Sequence, residues 1–113
     1  MMTRMFAASS ELVIHHAGSL IPPAELEELS KQVMEALLEQ ESRPRARIHS
    51  PAVSATLAEG RMSIEFCINA VTFDEAQRVF AKTLRSIIED RLGHRLVDDD
   101  AQETSRELEL VAV

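Results

Sequence analysis

From Val53 to Ala70, apolar and polar positions alternate almost without a break. Val53, Ala55 and Leu57 are separated by Ser54 and Thr56. Met62, Ile64, Phe66, Ile68 and Ala70 are separated by Ser63, Glu65, Cys67 and Asn69. Successive side chains leave opposite faces of a strand, so this period of two predicts two half-buried strands. Pro51 stands where the first should begin, the place where a missing N–H does least harm. Between them, Glu59-Gly60 predicts a two-residue turn. Such a turn sets Leu57 opposite Met62, Ala55 opposite Ile64 and Val53 opposite Phe66. A slip of one residue would send every apolar side chain to the wrong face.

Two helices bracket this hairpin. Thr72-Phe73-Asp74-Glu75 has the form of a capping box, with Thr72 at the N-cap and Glu75 reaching back. Phe73, Ala76, Phe80, Thr83, Leu84, Ile87 and Ile88 then make one apolar stripe, and Gly93 is the expected stop. Upstream, Pro22 and Pro23 suit the first turn of a helix, where the missing N–H would be unpaired anyway. Leu26, Leu29, Val33, Ala36 and Leu37 form its stripe, and it should end near Glu41 or Ser42.

Before it, Leu12-Val13-Ile14 leads into His15-His16 and predicts a short central strand. Residues 1–10 show no clear period and are expected to be a flexible N-terminal arm. Residues 11–97 are then the folded α+β domain. Residues 98–113 are expected to be an acidic loop, Asp98-Asp99-Asp100, followed by a strand or tail in which Leu108 and Leu110 alternate with glutamates. The order is βαββα with a possible final β. It resembles the ferredoxin-like arrangement, an antiparallel sheet with two helices packed on one face and the first and third strands central. That fold hosts many functions, so function has to be argued from sites.

Composition narrows the field. The net charge is -7 and aromatic content is 4%, with neither Trp nor Tyr. An acidic chain with few stacking platforms argues against a nucleic-acid partner. With one cysteine, Cys67, no disulfide can form within the chain. No apolar run has the length of a membrane span. The expectation is a cytoplasmic protein with no membrane partner.

The candidates for chemistry are few. His15 and His16 are adjacent on a strand and so point to opposite faces; they cannot share one metal ion there. The ordinary reading is a pair of solvated histidines at a strand end. On the predicted outer face, His15, Cys67 and Glu65 could approach one another if the first and third strands are neighbours. A thiol beside an imidazole is the minimum for an activated nucleophile. The plainer reading of Cys67 is a small, partly buried residue. His49 and His94 fall in loops without metal-ligand spacing, and the three aspartates lack the glycine and terminal glutamate of a calcium loop. No catalytic set, metal site or cofactor is assigned.

The outer face itself is more informative. Val13, Ser54, Thr56, Ser63, Cys67 and Asn69 are small or mildly polar, where a solvated face would carry more Lys, Glu and Arg. Leu108 and Leu110 are a possible cover for it, as are Met5 and Phe6. The expected function is a non-catalytic binding or assembly module acting through this face, as a homodimer or with another protein. Two alternatives stand beside it. One is a small dimeric α+β barrel enzyme with a pocket near His15, Glu65 and Cys67; the other is a regulatory domain for a small-molecule ligand.

Overall fold

The computed structural model describes residues 2–16, 18–92 and 101–111. The chain runs β1 (Arg4–His16), β2 (Ser19–Leu20), α1 (Pro23–Glu41), β3 (Ile48–Thr56), β4 (Arg61–Ala70), α2 (Phe73–Ile87) and β5 (Ala101–Leu110). All strand pairings are antiparallel. β1 lies between β4 and β5, β3 pairs with the other edge of β4, and β2 pairs only with the end of β1. Among the four long strands the last therefore lies beside the first, followed by the third and the second. This is the ferredoxin-like α+β order, and β1 and β4 are central as expected.

Both helices cover one face of the sheet. On α1 the buried residues are Leu26, Leu29, Val33, Ala36 and Leu37, the full predicted stripe. On α2 they are Ala76, Phe80, Thr83, Leu84 and Ile87. Phe73 was expected in that stripe but is 45% exposed. The sheet contributes Phe6, Ala8, Leu12 and Ile14 from β1 and Met62, Ile64, Phe66, Ile68 and Ala70 from β4. Four of the largest, Leu12, Ile14, Met62 and Ile64, are paired or near neighbours at the centre of the sheet.

The local signals at the helix starts behave as their chemistry requires. Thr72 Oγ1 accepts from the Glu75 N–H at 3.1 Å, satisfying one orphan donor. Glu75 reaches back one residue further than a standard capping box, accepting from the Val71 N–H. It also pairs with Arg47, which ties the entry of α2 to the segment before β3. α2 gives way after Ile87 to a π-helical turn over Ile88–Leu92. Gly93, the expected stop, and the three aspartates lie outside the described residues.

Three expectations are corrected. First, residues 4–10 are not a loose arm. They form the first half of β1, pairing with β4 from Arg4↔Ala70 to Ser10↔Ile64 and with β5 from Phe6↔Leu110 to Ser10↔Arg106. Phe6, Ala8 and Ser10 face the helices. Second, the final strand begins at Ala101, within the segment expected to be loop.

Third, the hairpin is looser than two residues. Leu57–Glu59 form a 3₁₀ turn and Gly60 closes it at φ 62. The pairs are Ala55↔Met62 and Val53↔Ile64, two residues from the predicted register. A shift of two keeps every paired side chain on its face, but Leu57, expected inward opposite Met62, leaves the strand for the turn and is 38% exposed. Gly60 leaves little room for a side chain. A Cβ there would lie 3.1 Å from the Ile14 carbonyl oxygen, and φ is left-handed. Gly60→Ala is expected to cost about 1–2 kcal/mol or somewhat more in urea unfolding. An unchanged midpoint would show that the turn can relax.

Candidate functional site

The face turned away from the helices can be laid out row by row from the strand registers, in the order β5, β1, β4, β3. One row is Glu109, Ala7, Cys67, His49. The next is Glu107, Ser9, Glu65, Ala52, followed by Ser105, Glu11, Ser63, Ser54 and by Gln102, Val13, Arg61, Thr56. Asn69 opposite Met5 lies beyond the first row and His15 beyond the last. Every residue predicted for the outer strand face, namely Val13, His15, Ser54, Thr56, Ser63, Glu65, Cys67 and Asn69, is on it. No described element covers it.

Leu108 and Leu110 are not on this face. They stand opposite Ala8 and Phe6, which point towards the helices. Leu108 packs against the core and Leu110 is half exposed at its margin. Of the two N-terminal candidates, Met5 is on the open face and Phe6 is in the core.

The expected approach of His15 to Cys67 does not occur. Cys67 pairs with Ala7, whereas His15 pairs with Leu20 at the opposite end of β1. Eight residues of strand separate Ala7 from His15, or about 27 Å. Within one chain, therefore, the length of β1 keeps His15 out of any pocket formed by Glu65 and Cys67. The histidine that faces Cys67 is His49, on the neighbouring strand. Its Nε2 lies 2.7 Å from Asn69 Nδ2, a hydrogen bond that orients the ring.

His49, expected in a loop, stands on β3. The signal against the strand was Ser50-Pro51, and the structure resolves it with a bulge. The β3–β4 register shifts between His49 and Ala52, and Ser50 takes φ 53. The bulge absorbs the extra residue, so the strand can resume at His49.

The electrostatics are uneven. Glu65, Glu107 and Glu109 border a shallow depression of about 310 Å³ floored by Ala7, Ser9 and Cys67. At the other end Glu11 is held by Arg61 at 3.2 Å and by Ser63 at 3.3 Å. Among the described residues no group of three or more His, Cys, Asp or Glu is placed to hold a metal ion.

Behind this face, Ser10 is fully buried on the helix side and donates to Glu103 Oε2 at 2.5 Å. Arg106 Nε donates to the same oxygen at 2.9 Å. Burial opposes the charged form of Glu103, but these two donors and the Arg106 charge outweigh it, and its carboxyl lies below its ordinary value of 4.5. A lowered folded pKa stabilises the fold above the unfolded value, and that contribution is lost as pH falls through the folded one. Glu103→Gln should therefore lower stability at neutral pH and shrink the loss on acidification. Urea midpoints measured at neutral pH and below the carboxylate range check this; parallel pH curves for the two proteins would refute it.

Among the described residues no helix is long and apolar enough to cross a membrane. Compared with known proteins, the chain matches no family model and no curated protein. Among solved structures it is similar to the crystal structure of AtUAH in complex with glyoxylate, at 14% identity and a TM-score of 0.34. The match covers 96% of this chain but only 29% of that one, so the chain spans less than a third of its length.

Proposed function

We propose that the protein is a non-catalytic assembly module that forms a homodimer through its open sheet face, with the two sheets stacked. The observation that carries this is the make-up of the face. It is bare, yet Ala7, Ser9, Ala52, Ser54, Ser63 and Cys67 occupy positions where a solvated sheet would carry long charged side chains. Small residues let two sheets approach to the ~10 Å spacing of a sandwich.

Its dimensions suit a dimer. Four strands at about 4.8 Å and five cross-strand rows at about 6.8 Å give roughly 650 Å² in plan. A stable interface removes about 800 Å² per partner, counted as accessible surface, which exceeds the plan area of the same patch.

The charges fit as well. A two-fold axis parallel to the strands, between β1 and β4, sets each row against itself in reverse. Glu109 then faces His49, Glu107 faces Ala52, Ser9 faces Glu65 and Glu11 faces Ser63. No carboxylate meets another across the interface. The half-buried single thiol, Cys67, suits a reducing compartment, and we assign the protein to the cytoplasm on that ground.

The test is the mass of the full chain by size-exclusion chromatography with light scattering across a concentration series. Twice the mass of the chain is expected. A monomer at every concentration sinks the reading.

A further inference from the structure

We infer that the outer edge of β5 is a docking site for an extended partner segment in which apolar and basic residues alternate. The segment would add as a new strand to the sheet. This site is the outer edge of the strand rather than the open face, although Glu107 and Glu109 of that face border it, and it rests on backbone geometry, on the shape of the adjoining surface and on charge.

Backbone geometry comes first. The Val111 N–H donates to the Met5 carbonyl at 3.0 Å. Backbone groups alternate sides along a strand, so residues 107, 109 and 111 turn their N–H and C=O groups towards β1. Those of Arg106, Leu108 and Leu110 turn outward. Among the described residues no strand takes them. The opposite edge of the sheet is blunted: β3 carries Pro51, which has no N–H, and the bulge at Ser50. β5 has neither device between Arg106 and Leu110.

The helix side of this edge is incomplete. α2 lies over β4 and β1 and leaves its flank open beside β5. Two adjoining hollows run along that flank, of about 280 and 300 Å³. Phe73, Phe80 and Leu108 line the first, Leu84 and Ile88 the second, and Arg106 stands between them. Leu110 is 50% exposed at the same margin. A strand hydrogen-bonded to β5 would lay alternate side chains over the apolar part of this ground, with Gln77, Arg85 and Glu89 at its polar margin. Its intervening side chains would emerge on the other face, beside Glu107 and Glu109, where cations are favoured and carboxylates repelled.

The same charges disfavour a second copy as occupant. Antiparallel self-pairing centred on Leu108 opposes Glu107 to Glu109. Centred on Arg106, it opposes that residue to itself. The fit is to a different segment, with apolar side chains opposite Leu108 and Leu110 and Lys or Arg opposite the glutamates.

A fluorescein-labelled peptide of sequence Gly-Lys-Val-Lys-Val-Lys-Gly, titrated with the full chain by fluorescence anisotropy at low salt, tests this. Binding is expected at least tenfold tighter than for the peptide with Glu in place of Lys, and weaker as salt is added. Amide chemical-shift changes should centre on Arg106, Leu108 and Leu110. Glu107→Lys with Glu109→Lys should reverse the preference between the two peptides. Leu110→Pro, which removes an outward N–H at an exposed position, should weaken binding at least fivefold with the circular dichroism spectrum unchanged. Thr56→Arg, on the open face but on β3 at the far corner from Glu107 and Glu109, should leave it within twofold. Equal binding of both peptides, shifts centred on the open face, or no effect of Leu110→Pro in a folded protein would each overturn the proposal.

Discussion

Ala7→Arg is expected to convert the dimer to a folded monomer, weakening self-association at least ~100-fold. In the proposed dimer Ala7 sits opposite the partner's Cys67, within the row flanked by Glu109 and His49. An arginine there has to lose its water and finds a thiol across the interface. Taking the charge out of water costs several kcal/mol even with Glu109 alongside, and every 1.4 kcal/mol is a factor of ten in the dissociation constant. Its length also holds the two sheets apart, so neighbouring rows lose contact together. The monomer has no such difficulty. Ala7 is half-buried only by its neighbours on a bare face, and an arginine there can reach towards Glu107 and Glu109. Light scattering on the variant, with circular dichroism as the check on folding, separates the outcomes. A folded variant that remains dimeric at the wild-type concentration would remove the open face from consideration as the interface.

What the pattern of the chain revealed depended on contrast between the two faces of each strand. In β4 that contrast is complete, from Met62 to Ala70, and its faces were assigned correctly. The register of the hairpin was not. The pattern is blind to a shift of two, which preserves faces, so it could not separate a two-residue loop from the 3₁₀ turn at Leu57–Glu59. The first half of β1 was missed because Ala7, Ala8, Ser9 and Ser10 differ too little to show a period. Ser10 even reverses the expected polarity: it faces the core and is satisfied by Glu103, a partner 93 positions away.

The start of β5 was missed for a related reason. Gln102 to Arg106 lie where the helices give little cover, and nearly every residue there is exposed, so neither face selects for apolar side chains. The residues of the candidate face were legible once the faces of β3 and β4 were known. The identity of the histidine beside Cys67 was not. It depended on which end of a long strand lies opposite β4 and on a bulge at Ser50. Neither leaves a periodic signal.

Phe80→Ala is expected to lower stability by about 3–5 kcal/mol, whereas Phe73→Ala, two stripe positions earlier on the same helix, costs less than about 1 kcal/mol. The two phenylalanines look alike in the sequence, and their surroundings set them apart. Phe80 is 1% exposed and meets Phe66 of β4 edge to face, with ring centres 5.4 Å apart. Arg106 of β5 lies 5.3 Å above its ring. One side chain thus joins α2 to a central strand and to the last strand, and truncation leaves a cavity that rigid neighbours cannot close. Phe73 meets Phe6 with ring centres 6.0 Å apart but is 45% exposed. A domain of this size has a total stability of about 5–15 kcal/mol, so the first substitution removes a large share of it and the second very little. With a urea dependence of about 1–3 kcal/mol per molar, Phe80→Ala should lower the unfolding midpoint by on the order of 2 M. Loss of the Phe80 ring should also release Arg106 and loosen the β5 edge, so hydrogen exchange at residues 106–110 should rise more than exchange in β3. Similar losses for the two variants would mean that α2 is not seated on the sheet through Phe80.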